Sequence, residues 1–277
     1  MERRTDTDAG KERTPIAEAG SRDLPPQARH LAPKPVKSSI LLAERILQDI
    51  VRAGLRPGDP LPPEKEMIEK YGLGRGTVRE ALRLLEYQGA VQIRQGLNGG
   101  PFVQEPDSAH FAGTILFLLQ LQGTPFESIV EVRAAIEPTI CRLAAQRIED
   151  AALQELQSTI SAMRRHAESP DDVIFYDLNK RFHNVIAWSS GNTLFRYLAD
   201  SLLDIMDGAV VGLTYSPRSR RGVVAAHQAI YDALAEHDAA GAEERMRLHL
   251  AAWEEYATQE FPAALKKVVP WSWSVLR

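Results

Sequence analysis

The chain has 277 residues, of which 44% are hydrophobic and 25% are charged, and its net charge at pH 7 is −4. This balance is typical of a soluble globular protein and argues against a disordered chain. The longest purely apolar run, at 115–119, is far too short to span a membrane as a helix. The acidic excess is local, because residues 106–277 carry −6 whereas residues 1–36 and 37–105 each carry +1. Any affinity for nucleic acid must therefore come from a few well-placed arginines and from dimerisation.

Residues 1–36 mix charged side chains with five prolines and show no apolar period, which predicts a flexible tail. The first residues are charged and have no apolar stretch behind them, so neither a secretory signal nor a membrane anchor is visible. We therefore expect a cytoplasmic protein. The single cysteine, Cys141, cannot form an internal disulfide and is expected to be a buried small hydrophobe.

Three helices are predicted in residues 37–105. The first runs from Ser38 to just before Gly54, and the second begins at Pro62 and Pro63. Gly72 closes the second helix, and the third covers residues 75–88. Two short helices joined by a tight turn form a helix-turn-helix.

A β-hairpin is predicted directly after the third helix. The strand-like segments 90–94 and 101–104 flank the turn signal Asn98-Gly99-Gly100. Three helices followed by a glycine-tipped hairpin indicate a winged helix-turn-helix.

The third helix has the composition expected of a helix that reads DNA. Small residues at its start, Gly74 and Gly76, allow close approach to the double helix, and Arg75 and Arg79 lie four residues apart on one face. An arginine pair by itself more often only solvates a surface helix. The order of the elements, with the hairpin next in the chain, favours DNA binding.

Residues 37–105 also resemble the GntR family of transcription regulators. The matching motifs are Pro57-Gly58-Asp59, Leu61-Pro62, Glu64-Lys65-Glu66, Val78-Arg79-Glu80-Ala81-Leu82 and the wing that follows Gly89. The DNA contacts implied by the resemblance are Lys65, Arg75, Thr77, Arg79, Gln95 and Gly96. The chain departs from the family pattern at Gly74 and Gly76, where hydroxyl residues are usual, and at Lys65, which cannot make the bidentate contact of an arginine.

The rest of the chain reads as helical. Residues 109–262 contain no convincing period-2 stretch and predict a bundle of six or seven helices, so the fold class is mainly α. Residues 263–277 form an aromatic C-terminal tail that is expected to dock on the bundle or on a partner subunit.

Three histidines of the bundle lie on segments with helical spacing. His183 follows Asn179 by four residues, so the two side chains share a helix face, and His227 and His249 lie on two further helices. A bundle could bring all four side chains to one point, where imidazole nitrogens suit Zn²⁺, Ni²⁺ or a similar ion. Such long spacing is weak evidence by itself, since ordinary core or surface histidines would look the same.

Residues 109–257 resemble the FCD ligand-binding domain of the FadR-type branch of GntR regulators. The resemblance rests on the motifs Glu131-Val132-Arg133-Ala134-Ala135-Ile136-Glu137, Asn179-Lys180-Arg181-Phe182-His183 and Ser190-Gly191-Asn192, and on the spacing from His227 to His249. It implies a divalent metal, with zinc as the first choice, held by Asn179, His183, His227 and His249. Asn179 stands where aspartate is frequent, and its amide is a neutral and weaker oxygen donor.

Arg133 is the predicted effector-binding residue, because a partly buried guanidinium can clamp a carboxylate through two hydrogen bonds. The alternative is an ordinary helix ion pair with Glu137, four residues on.

The predicted function is a homodimeric transcription regulator, expected to be a repressor, that binds an inverted-repeat DNA operator and responds to a small organic acid. Two alternatives stay open. One is a regulator without metal that senses an apolar or acyl effector, and the other is a metal-dependent enzyme built on the same histidines.

Overall fold

A computed structural model describes residues 36–96, 99–169, 172–206 and 214–271. Residues 1–35 of the predicted tail 1–36, residues 97–98 at the predicted turn of the hairpin and residues 272–277 of the predicted C-terminal tail lie outside the described residues. Within them the protein is mainly helical with one two-stranded sheet, as the sequence predicts. No helix of the described part is both long and apolar enough to cross a membrane.

The N-terminal part is a winged helix-turn-helix. Its helices are α1 (Ser38–Ala53), α2 (Glu64–Tyr71) and α3 (Arg75–Tyr87), and its wing is the antiparallel pair β1 (Val91–Arg94) and β2 (Gly100–Val103). Apolar side chains at helical spacing close a separate core between these elements. Its members include Leu42, Ile46, Met67, Val78, Leu82, Leu85, Val91 and Val103.

The second helix begins two residues later than the prolines indicate. Pro62 precedes another proline, which disfavours helical backbone, and Pro63 is the extended N-cap at ψ 155°. At the other end Gly72 takes a left-handed conformation, φ 65°, and its N–H donates to the carbonyl of Ile68. That conformation favours glycine and produces the tight turn into α3.

The C-terminal part is a helical bundle. Its helices are α4 (Ser108–Gln122), α5 (Glu127–Ala145), α6 (Asp150–His166), α7 (Asp172–Ser189), α8 (Thr193–Ile205), α9 (Pro217–Ala235), α10 (Ala239–Glu260) and the short α11 (Pro262–Leu265). Helix α5 packs most extensively against α10 and also contacts α7, α8 and α9. The described part of the bundle thus contains seven long helices and one of four residues.

The bundle has two apolar cores. The larger one is built from α5, α6, α7, α9 and α10, and it contains Cys141, which is fully buried. The smaller one joins α4 and α8 to the ends of α5, α10 and α11. Residues beyond α11 belong to it, since Val269 is buried and the Trp271 ring contacts Phe117 edge-on.

Candidate metal centre and nucleic-acid interface

Helix α3 turns one face into the core and the other to solvent. Val78, Ala81, Leu82 and Leu85 are buried, while Arg75 and Arg79 are exposed. An amphipathic helix with solvent-facing guanidinium groups has the geometry needed to approach a polyanion.

The other predicted DNA contacts lie on the same domain. Lys65 is exposed on α2, Thr77 is half-buried in the first turn of α3, and Gln95 and Gly96 are exposed where β1 ends. Sequence reasoning did not anticipate the partner of Arg79. Its Nε donates to both carboxylate oxygens of Glu64, at 3.1 and 2.9 Å, so Glu64 occupies one donor of this guanidinium.

Three histidines from three helices meet in the bundle core. His183 on α7, His227 on α9 and His249 on α10 are all buried, and their candidate ligand atoms lie within 4.8 Å of one another. The Nε2 atom of His249 is 3.3 Å from that of His227 and 3.4 Å from that of His183. Helix packing therefore joins residues that are separated by up to 66 positions in the chain.

Glu137 fixes the orientation of one imidazole. The Nδ1 atom of His183 lies 2.7 Å from Glu137 Oε2. Burial alone would raise the pKa of Glu137, but the charge of Arg133 and the contact with His183 hold it well below its usual range. The carboxylate is thus ionised and can only accept, so the hydrogen of this contact lies on Nδ1 of His183, while Nε2 lies toward His249. A carboxylate behind a histidine is the usual support of a metal ligand.

Burial disfavours the charged form of the imidazoles of His227 and His249. Burial, together with neighbouring histidines, lowers the pKa of His227 well below its ordinary value. Burial, followed by the electrostatic effects of His183 and Arg133, lowers the pKa of His249 to about 3. The ring of His227 also stacks on Phe182 at 3.8 Å between centroids. Neutral imidazole is the form that binds a metal ion.

Two of the three separations between these nitrogens match those expected around a zinc ion. Nitrogen ligands about 2.0–2.1 Å from a tetrahedral zinc ion stand roughly 3.3–3.4 Å apart, which agrees with the two Nε2 separations. The Nε2 atom of His249 contacts two other Nε2 atoms, and a proton on it could form a hydrogen bond with only one of them. A metal cation could instead bind the lone pairs of all three nitrogens.

Asn179 lies one turn before His183 on α7 and lines a cavity of about 50 Å³. Its Oδ1 atom is buried and has no hydrogen-bond partner in the described structure. An orphaned buried oxygen is costly unless something occupies the space in front of it. Three imidazole nitrogens and one amide oxygen, the set expected from the sequence, are donor types that suit a divalent ion.

Arg133 is buried beside this centre, where it pairs with Glu137 and lines the cavity. Its Nε donates to Glu137, so the helix ion pair considered from the sequence is present, and its side chain also lines the cavity. The rest of the wall was not foreseen, because it comes from residues far apart in the chain. It is mainly aromatic or apolar, with Tyr176, Tyr215, Trp253, Tyr256, Phe261, Leu203 and Met206.

Comparison with protein families gives two matches in chain order. Residues 41–99 match the model described as bacterial regulatory proteins, gntR family, and residues 128–252 match the FCD domain.

Individual proteins match across both regions. An uncharacterised HTH-type transcriptional regulator, YcbG of Bacillus subtilis (strain 168), is 33% identical over 75% of this chain and 84% of its own length. The HTH-type transcriptional repressor NanR of Enterobacter sp. (strain 638) is 31% identical over 79% of this chain and 86% of its own. The solved structure of Streptococcus agalactiae GntR has a similar fold, with a TM-score of 0.62 at 24% identity over 78% of this chain and 99% of that one.

Proposed function

Because the chain belongs to the GntR family of bacterial transcription regulators and carries an FCD domain, we propose that its DNA binding is controlled by a small carboxylate held beside a divalent metal ion. The family and its relatives are DNA-binding regulators and not enzymes, which removes the enzyme alternative. The observation that carries the proposal is the convergence of three buried Nε2 atoms next to a cavity lined by Arg133.

The ligands proposed for the metal are His183, His227, His249 and Asn179, with zinc as the first choice and nickel as the alternative. Glu137 orients His183 and keeps its proton on Nδ1. When bound, the metal would supply positive charge in a buried site. Arg133 lines the cavity together with Asn179, the proposed amide ligand, so a carboxylate there would lie between the guanidinium and the metal. The cavity volume of about 50 Å³ favours an acid of few carbon atoms.

The DNA-binding unit is proposed to be a homodimer on an inverted-repeat operator, with the α3 helices in successive major grooves. Helix α4 supports a dimer, because it exposes Phe117, Leu118 and Leu121 on the surface of the single chain. An exposed apolar patch of this kind marks an interaction site. The proposed DNA contacts are Lys65, Arg75, Thr77, Arg79, Gln95 and Gly96.

The regulatory step is a shift between two placements of the winged domains. A carboxylate that binds one placement better moves the population towards it by its difference in affinity. We expect repression that the ligand relieves, as one relative is named a repressor.

The test uses a DNA fragment that the wild-type protein selects from a random pool. Fluorescence anisotropy would measure affinity for this fragment with zinc-loaded protein, before and after addition of small carboxylates. We expect at least one acid to change the affinity, and Arg133→Leu to abolish its effect while DNA binding without acid is retained. An acid response that survives both Arg133→Leu and His183→Ala would contradict the proposed site.

The aromatic wall of the cavity favours a second candidate, a regulator that senses an apolar ligand without metal. Metal analysis separates the two. A protein without bound metal that responds equally before and after His183→Ala would support the second candidate.

A further inference from the structure

Lys180 stands at the wall between two spaces. It follows Asn179 on α7 and lines the inner cavity, and it also lines an outer groove of about 830 Å³ between α6, α7 and α8. Asp177 is the only other residue that lines both spaces among those described. The Lys180 side chain is therefore within reach of a ligand in either space.

Lys180 is tied to the start of α4 through one carboxylate. Its Nζ lies 2.5 Å from Asp204 Oδ1 on α8, and the hydroxyl of Ser108 donates to Asp204 Oδ2 at 2.8 Å. Ser108 is the first residue of α4, and its carbonyl accepts a hydrogen bond of 3.0 Å from Ser201 of α8. The Asp204 side chain is only 12% exposed, so the contacts with Lys180 and Ser108 replace most of the water that would otherwise surround its carboxylate.

The same region is the link to the wing. Only residues 104–107 separate β2 from α4, and Arg196 of α8 pairs with Glu105 in that link at 2.9 Å. Helix α8 thus holds both the link and the first turn of α4. A change in the contacts of Asp204 would therefore alter the contacts at the point where the DNA-binding domain joins the bundle.

We propose that Lys180 senses the carboxylate effector and passes its binding to the DNA-binding domain through Asp204 and Ser108. A ligand carboxylate in the cavity competes with Asp204 for the ammonium group. Asp204 then loses a charged donor, its hold on Ser108 changes, and the first turn of α4 loosens. This role rests on the proposed function, since it needs a carboxylate in the cavity.

Hydrogen exchange of the full-length, zinc-loaded protein tests the connection without DNA. We expect Lys180→Met to speed exchange of the amides at the start of α4 by about two- to fivefold, since the tie is partly exposed. Adding Lys180→Met to Ser108→Ala should have little further effect, because both break one chain of contacts. Lys180→Arg, which keeps a cation, should restore slow exchange. The control is Arg181→Met, which breaks the exposed pair with Glu155. Exchange at the start of α4 that is equal in wild type and Lys180→Met would overturn the proposal.

Acetate serves as the carboxylate, because it is the smallest one that carries a methyl group. Saturating sodium acetate, compared with sodium chloride at equal ionic strength, should speed exchange at the start of α4 in wild type and not in Lys180→Met. No effect of acetate on the wild type would overturn the sensing role. A failure of the proposed function is distinguishable, because it would appear as a wild type that binds no zinc, whereas the effect of Lys180→Met on exchange would still be measurable.

Discussion

Replacing Glu137 with glutamine removes the charge between Arg133 and His183 and keeps the shape of the side chain. Glu137 is 4% exposed and accepts from both neighbours. The amide of glutamine has one acceptor oxygen, so its NH₂ group must face one of the two donors. The substitution removes the counter-ion that the Arg133 guanidinium has in the described part of the structure.

The size of the effect follows from this geometry. Loss of one partner of a buried ion pair costs about 3–5 kcal/mol, and a domain of this size loses roughly 2–4 °C in Tm for each kcal/mol. We therefore expect metal-free Glu137→Gln to melt about 6–20 °C below the metal-free wild type. Metal affinity should also fall about 10- to 100-fold, because His183 loses the acceptor that orients it.

Calorimetry of the metal-free proteins and zinc titration of each would measure both effects. Arg142→Gln is a suitable control. Arg142 lies on the same helix as Glu137, and the substitution disrupts its exposed pair with Glu243, so Tm should change little. A Glu137→Gln protein with the wild-type Tm and zinc affinity would refute the assigned role of the carboxylate.

Three further predictions concern DNA binding, assembly and the junction of the two parts. Arg79→Ala should weaken DNA binding and reduce the salt dependence of affinity by about one charge, whereas Glu64→Gln should strengthen binding by freeing Arg79; equal affinities of all three proteins at moderate salt would count against the recognition helix. Leu121→Glu places a charge on the exposed face of α4 and should yield monomers in analytical ultracentrifugation, and a dimer of unchanged affinity would exclude this face. Gly89→Ala should lower the free energy of unfolding by about 1–2 kcal/mol, because Gly89 has φ 72° and a Cβ there would lie 3.1 Å from the His110 ring; a urea melt equal to that of wild type would contradict this.

The fold of the winged domain could be predicted from the sequence because residues close together in the chain define its helices and turns. Gly72 and Gly89 mark helix ends, and the apolar spacing from Val78 to Leu85 identifies the buried face of α3. The pairing of Arg79 with Glu64 was not readable, since it depends on how α2 and α3 cross. The start of α2 was misplaced by two residues because consecutive prolines can begin a helix or precede it.

The sequence predicted that the C-terminal part is a helical bundle, but it did not predict most of the contacts inside that bundle. His183, His227 and His249 were identified, and their residue types with the family resemblance indicated a metal, but only the packing of α7, α9 and α10 brings the nitrogens to 3.3–3.4 Å. Glu137 had a visible signal in its spacing from Arg133, yet that spacing did not reveal its contact with His183. The aromatic cavity wall had no sequence signal, because its residues come from separate helices.

Zinc titration of the metal-depleted protein, followed by calorimetry, tests the metal centre most directly. We expect one equivalent of zinc per chain in wild type and loss of this binding when His183, His227 and His249 are replaced together by alanine. A wild type that binds no zinc or other divalent transition metal, or a triple variant that binds as the wild type does, would contradict a metal-centred sensor.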